Sequence, residues 1–322
     1  MGLSSNMLWH QIDIDGFRNV LNIMIMNKVL GAVFAFALVL GCFGQSAWGQ
    51  TSFKMTKENG HYYTTATING KADIPVFIET GYPALTVSLG RYDELLASLP
   101  LEEIELEQIE WLRGDRAKHR IHKKLKGKVP VGDLVFEGFV YVVDPYDDRV
   151  TVPANLLKNE ADTTVCLIRF DFKRNTLDYI RRDAVDLAKM RTYRLVAFDP
   201  MPIFVSTMEL SDASGHDLEI TGNFNFDLGC GSSVFFFRNT MLPVLKENKF
   251  KIQTATDRAG NVIGHGIFAG YCKIGDKSKT GFSIGITNKT FWEDDQLGCV
   301  GPSFFQNSTV ILDPANDLIY YR

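Results

Sequence analysis

From about residue 50 onward, phenylalanine, valine, isoleucine, threonine and tyrosine recur in short runs broken by Gly, Asn and Asp. That pattern predicts many short strands rather than long helices, and so an all-β fold. Alternating stretches lead up to Glu79 and to Asp227. Ile168–Asp171 and Val310–Asp313 each read as a strand, a turn containing Arg174-Asn175 or Ala315-Asn316, and a second strand. Asp and Asn at those places suit tight hairpin turns. The Phe235-Phe236-Phe237 run, with Phe268 and Tyr271, reads as strand residues supplying both faces of a sheet.

The chain repeats itself. Phe77-Ile78-Glu79-Thr80-Gly81-Tyr82 matches Asn225-Phe226-Asp227-Leu228-Gly229-Cys230, each placing an acid two residues before a glycine. The same offset of 148 carries Val152-Pro153-Ala154-Asn155-Leu156-Leu157 onto Val300-Gly301-Pro302-Ser303-Phe304-Phe305. Two segments sharing one register predict a duplicated unit. The expected division is an N-terminal lobe over 50–190 and a C-terminal lobe over 191–322, with the more polar Arg181–Met190 stretch as connection.

Composition sharpens this picture at the N-terminus. Met26-Asn27-Lys28, the uncharged apolar run Val29–Leu40 and Ala47-Trp48-Gly49 before Gln50 are the parts of a secretory signal peptide. Residues 1–25 read as an upstream mis-start, 26–49 as the signal, and the mature protein as exported to a periplasm or the medium. The apolar run is shorter than the roughly 20 residues a spanning helix needs. Val39-Leu40-Gly41-Cys42 is the alternative, a lipobox that would tie the chain to a membrane by lipidation at Cys42. Cys166, Cys230, Cys272 and Cys299 allow disulfides or buried thiols, and their spacing matches no metal site. A net charge of −4 argues against nucleic acid as a partner. The acidic block of Glu102, Glu103, Glu105, Glu107 and Glu110 precedes a basic run from Arg113 to Lys128, which predicts a solvated hairpin. His119 and His122 lack a third ligand, and no metal or other cofactor is expected.

An alternating strand, an acid-Thr-Gly turn, the run Ala84–Ser88, and later a hydrophobic-Gly turn followed by strand, Asp, turn and strand resemble one lobe of the pepsin-like and retroviral-type aspartic peptidases. Cys299–Phe305, with Val310–Asp313 and Leu318–Tyr320 after it, is similar to that family's C-terminal signature. The resemblance covers nearly all of the mature chain. It implies two lobes with a central cleft, Glu79 and Asp227 as an acid–base pair acting on polypeptide through water, and Thr80 linking the two loops. Gly81 and Gly229 would permit close approach, and Gly301 and Leu228 would support the site. Like charges that close cannot both ionise, so such a pair shares a proton.

Several positions depart from the family's pattern. Glu79 stands where the family has aspartate, and its extra methylene moves the carboxylate by about one bond length; errors near 1 Å cost on the order of a hundredfold in rate. Leu228 cannot supply the hydroxyl that Thr80 supplies. Tyr82 and Cys230 occupy the places of further hydroxyls, and Pro153 that of the glycine seen at Gly301. A catalytically inactive peptide- or protein-binding relative is therefore the alternative reading. His265 and Tyr271, in the Gly-rich segment Asp257–Tyr271, are candidates for a cleft wall or flap, and the basic segment after Arg113 for a variant flap over lobe one. Ser232 and Ser233 lack any His-Asp arrangement, which argues against a serine hydrolase.

Overall fold

The computed structural model describes residues 50–106, 111–113, 118–144, 148–256, 262–287 and 295–322. The signal-peptide and lipobox expectations therefore lie outside the described residues, as do parts of both expected flaps. The described residues form one compact unit.

The first half of the chain builds β1 (Thr51–Lys54), β2 (Thr56–Glu58), β3 (His61–Ile68), β4 (Lys71–Glu79), β5 (Ala84–Ser88), β6 (Glu102–Ile104), β7 (Trp111–Arg113), β8 (Lys118–Val131), β9 (Leu134–Val143), β10 (Val150–Pro153), β11 (Leu157–Lys158), β12 (Val165–Asp171) and β13 (Thr176–Arg181). The second builds β14 (Arg191–Ala197), β15 (Ile203–Asp212), β16 (Asp217–Phe226), β17 (Val234–Phe237), β18 (Gln253–Thr256), β19 (Val262–Ile274), β20 (Lys277–Thr287), β21 (Gln296–Val300), β22 (Thr309–Asp313) and β23 (Leu318–Tyr321). Two α-helices are found among the described residues, α1 (Leu89–Leu95) and α2 (Arg238–Glu247). Each directly follows the strand after an acid loop. The architecture is all-β, as the short alternating runs predict.

The duplication is visible in the ladders. In the first half β4 lies parallel to β10 with Ile78 opposite Val152; in the second β16 lies parallel to β21 with Phe226 opposite Val300. Both pairs are the ones that the 148-residue offset matches. On the far side, β10 pairs antiparallel with β5, which runs parallel to β9. Likewise β21 pairs antiparallel with β17, which runs parallel to β20. Each acid thus ends the same four-strand arrangement.

A shared sheet joins the halves in the order β1-β13-β12-β22-β23-β14. At its centre β12 and β22 are antiparallel, pairing Ile168 with Leu312 and Phe170 with Val310. Matching Ile168 to Val310 and Phe170 to Leu312 turns the first pair into the second, which is what a two-fold relation requires. The turn residues obey the same relation: Asn175 and Asp317 hold positive φ values of 53° and 52°, a conformation Asn and Asp tolerate better than most residues. Both hairpins bury Phe170, Leu177, Val310, Leu312 and Ile319 in the core.

The acidic block pairs with the basic one, Glu102 opposite Lys126 and Ile104 opposite Lys124. β7 pairs with the start of β8, but residues 107–110 and 114–117 between and beside them lie outside the described set. The described cysteines are free thiols, three of them buried and Cys166 half-buried.

Candidate active site

The two loops that follow β4 and β16 meet. Glu79, 7% exposed, and Thr80, fully buried, come from the first; Asp227, half-buried, and buried Leu228 come from the second. The loops approach so closely that only glycine fits at either crossing. A Cβ on Gly81 would stand 2.5 Å from Asp227 Cγ and 2.6 Å from its Oδ1. A Cβ on Gly229 would stand 2.5 Å from Glu79 Cδ, and closer still to Oε2. Each glycine faces the acid of the opposite loop, as a pair related by two-fold symmetry must. Gly301 serves the second loop in the same way, since a Cβ there would press on the Cys230 and Ser232 carbonyls and lie 3.0 Å from Cys230 Sγ.

Thr80 is the latch between the loops. Its hydroxyl donates to Phe226 O at 2.9 Å and accepts from Leu228 N–H at 3.0 Å. Leu228 offers only its backbone in return, so the latch is one-sided. Tyr82 packs its ring against Tyr141, with centroids 6.3 Å apart. Cys230 points its thiol at Ser232 O, 3.7 Å away. Cys230 carries a thiol and so has no hydroxyl to place on the acids in the way the family pattern would.

Glu79 uses its extra length. Its Oε1 accepts N–H bonds from Thr80 at 3.0 Å and Gly81 at 2.7 Å in its own loop, and from Gly229 at 3.1 Å in the other. By symmetry Gly229 N–H is the donor that would serve Asp227, two residues before it; Asp227 Oδ1 instead accepts from Cys230 N–H at 3.1 Å. Glu79 thus takes a donor from each loop. Rather than projecting outward, as the extra methylene suggests, its carboxyl folds down onto both loops.

Burial is the largest influence on this group, followed by the Asp227 charge and the hydrogen bond between the two side chains; together they push the Glu79 carboxyl well above the ordinary range. The N–H bonds from Gly81 and Thr80 pull the other way and are outweighed. Glu79 therefore keeps a proton where a solvated glutamate has lost it. With Oε1 occupied by three donors, the proton belongs on Oε2.

The other sequence candidates lie apart from this cluster in their contacts. His265 sits on β19 opposite Thr254 and Ile286, with a ring nitrogen 3.4 Å from Thr254 Oγ1. Tyr271 is paired in the ladders with Ser211 and Thr280. His122 lies 2.5 Å from Asp144. One neighbour escaped sequence reading: the Asn59-Gly60-His61 turn packs on the loop after Asp227, with Gly231 confined between His61 and Asn59 O. Its only trace in the sequence is Asn-Gly between two strand patterns.

No family model matches the chain, and no curated protein matches it. Among solved structures it is similar to the crystal structure of an aspartic proteinase from Irpex lacteus, at 10% identity and a TM-score of 0.52, covering 84% of this chain and 96% of that one. At that identity the likeness concerns the fold. The chain has the two-lobed, cleft-forming all-β architecture of that proteinase.

Proposed function

We propose that this protein is an exported aspartic-type peptidase in which Glu79 and Asp227 hydrolyse peptide bonds through an activated water. The observation that carries the reading is the meeting of two carboxyls, one from each repeat, with a raised Glu79 and a half-buried Asp227. In this reaction Asp227 takes a proton from water as the water oxygen attacks the peptide carbonyl. Glu79 gives its Oε2 proton to the carbonyl oxygen, forming a neutral tetrahedral diol. The diol collapses when Glu79 recovers a proton from a diol hydroxyl and Asp227 delivers its proton to the departing amine. Atoms and charges balance, and no side chain forms a covalent bond to the substrate. The roles differ because the environments differ, the buried partner serving as acid and the more solvated one as base.

The test is cleavage of a broad peptide library by the purified protein from acidic to neutral pH. Cleavage that disappears in Asp227→Asn supports the proposal; no cleavage at any pH removes it. A second reading, a relative that binds polypeptide without turnover, is favoured by one feature. Glu79 Oε1 already carries three N–H bonds, which fixes the carboxyl and restricts its movement during proton transfer. Turnover by the unmodified protein excludes that reading.

A further inference from the structure

Six cationic side chains gather where the N-terminal strands, the β12–β13 turn and the start of β20 meet. Lys54 Nζ donates to Arg174 O at 2.7 Å, and Met55 N to Asn175 O at 2.8 Å. Lys57 lies over the Tyr62 ring at 5.7 Å, and that ring tilts against Phe172 at 5.3 Å. Phe172 N–H donates to Ser308 O at 3.0 Å, and the Ser308 hydroxyl accepts from Lys277 Nζ at 2.7 Å. Lys279 Nζ donates to Ser233 Oγ at 2.5 Å and to Ser303 O at 3.1 Å. Lys173, exposed, completes the set between Phe172 and Arg174.

This charge is poorly compensated. Among the described residues Asp171 lies 4.0 Å from Arg174, while Glu58 turns to Arg149 and Asp276 to Arg191. No described carboxylate lies in ion-pair range of Lys54, Lys57, Lys173, Lys277 or Lys279. Burial and then the Lys57 charge lower the Lys279 pKa; burial and then the Arg191 charge lower that of Lys277. Such a concentration stands out in a chain with a net charge of −4.

We propose that this face docks on a bilayer surface bearing anionic phosphate headgroups. The cations come from three segments and, apart from half-buried Lys277 and Lys279, stand in solvent, which suits many headgroups across a surface better than one small anion held in a pocket. In the lipobox alternative, the acylated Cys42 lies only a few residues ahead of β1, which begins at Thr51 and leads into the strands that carry Lys54 and Lys57. One acyl chain holds a protein to a membrane only marginally, and a basic patch supplies the second attachment. Each surface lysine or arginine strengthens binding roughly fivefold. The proposal does not depend on catalysis.

The test is co-sedimentation of the full chain with vesicles of phosphatidylcholine alone and of phosphatidylcholine mixed equally with phosphatidylglycerol. Tighter binding to the anionic vesicles, weakened by salt, is expected. Combining Lys54→Gln, Lys57→Gln, Lys173→Gln and Arg174→Gln, all at exposed positions, should reduce that preference by at least about tenfold. A control combining Lys126→Gln, Lys158→Gln, Lys246→Gln and Lys249→Gln changes the net charge equally and should keep it within about twofold. Equal losses in both variants, no preference for anionic vesicles, or binding to soluble heparin without binding to vesicles overturns the proposal.

Discussion

Thr80→Val removes the hydroxyl that ties the two acid loops together while nearly keeping the side-chain volume. In the parent, that hydroxyl gives a hydrogen to Phe226 O and takes one from Leu228 N–H, at 2.9 and 3.0 Å, in a position with no solvent exposure. Valine can satisfy neither, and water has no access to replace it. Leaving a buried polar group unpaired costs about 1–3 kcal/mol, so two such groups cost ~2–6 kcal/mol. Thr80→Ser keeps the hydroxyl and loses one methyl, costing about 1 kcal/mol. Urea unfolding, followed by intrinsic fluorescence, should show the midpoint of Thr80→Val falling by about 1 M with an unchanged slope, and that of Thr80→Ser falling far less. A loss below about 0.5 kcal/mol for valine, or equal losses for valine and serine, refutes the view that this one hydroxyl holds the loops in register.

Other perturbations probe the same cluster. Because folding raises the Glu79 pKa, the folded state binds more protons than the unfolded one. Glu79's contribution to stability is then fully present below its unfolded pKa and is lost as pH rises through its folded pKa, with a slope of at most about 1.4 kcal/mol per pH unit. Glu79→Gln should therefore flatten the decline in melting temperature between acidic and neutral pH; an unchanged pH profile contradicts the burial of that group. Gly229→Ala would drive a methyl into the Glu79 carboxyl, costing ~1–3 kcal/mol in urea unfolding and abolishing peptide cleavage. Glu79→Asp, shortened by about one bond, should release Gly229 N–H, lower stability by ~1–3 kcal/mol and raise kcat/KM on any peptide the parent cleaves. Unchanged kinetics would show that the reach of Glu79 does not limit turnover.

Much of the fold is legible in the sequence because its duplication sits in the residues that cannot vary freely. An acid two places before a glycine marks each loop, since the opposite carboxyl leaves no room for a Cβ. The offset linking Ile78–Val152 to Phe226–Val300 is a ladder register, and a one-residue slip would turn every side chain to the wrong face. The turn position Asn175 is legible for a conformational reason, whereas the second turn, read at Ala315-Asn316, carries its positive φ one residue later, at Asp317. What stays hidden depends on side-chain direction and on contacts distant in sequence. Nothing in the order of residues says that Glu79 folds back to take Gly229 N–H, because that is a rotamer choice made by the facing loop. The basic face is invisible for a similar reason: its lysines come from positions 54, 57, 173, 277 and 279 and form no run. The small Asn59–His61 turn gains its position against Gly231, in the loop after Asp227, only when the halves assemble.

Carboxyl-carbon NMR of the protein, labelled at Glu and Asp side chains and titrated from acidic to neutral pH, addresses the coupled acid pair most directly. Glu79 should hold its proton well above the ordinary glutamate range, and its titration should move down toward that range in Asp227→Asn, where the facing charge is gone. A Glu79 that titrates like a solvated glutamate, or one indifferent to the charge at position 227, would mean that the two repeats do not share a proton.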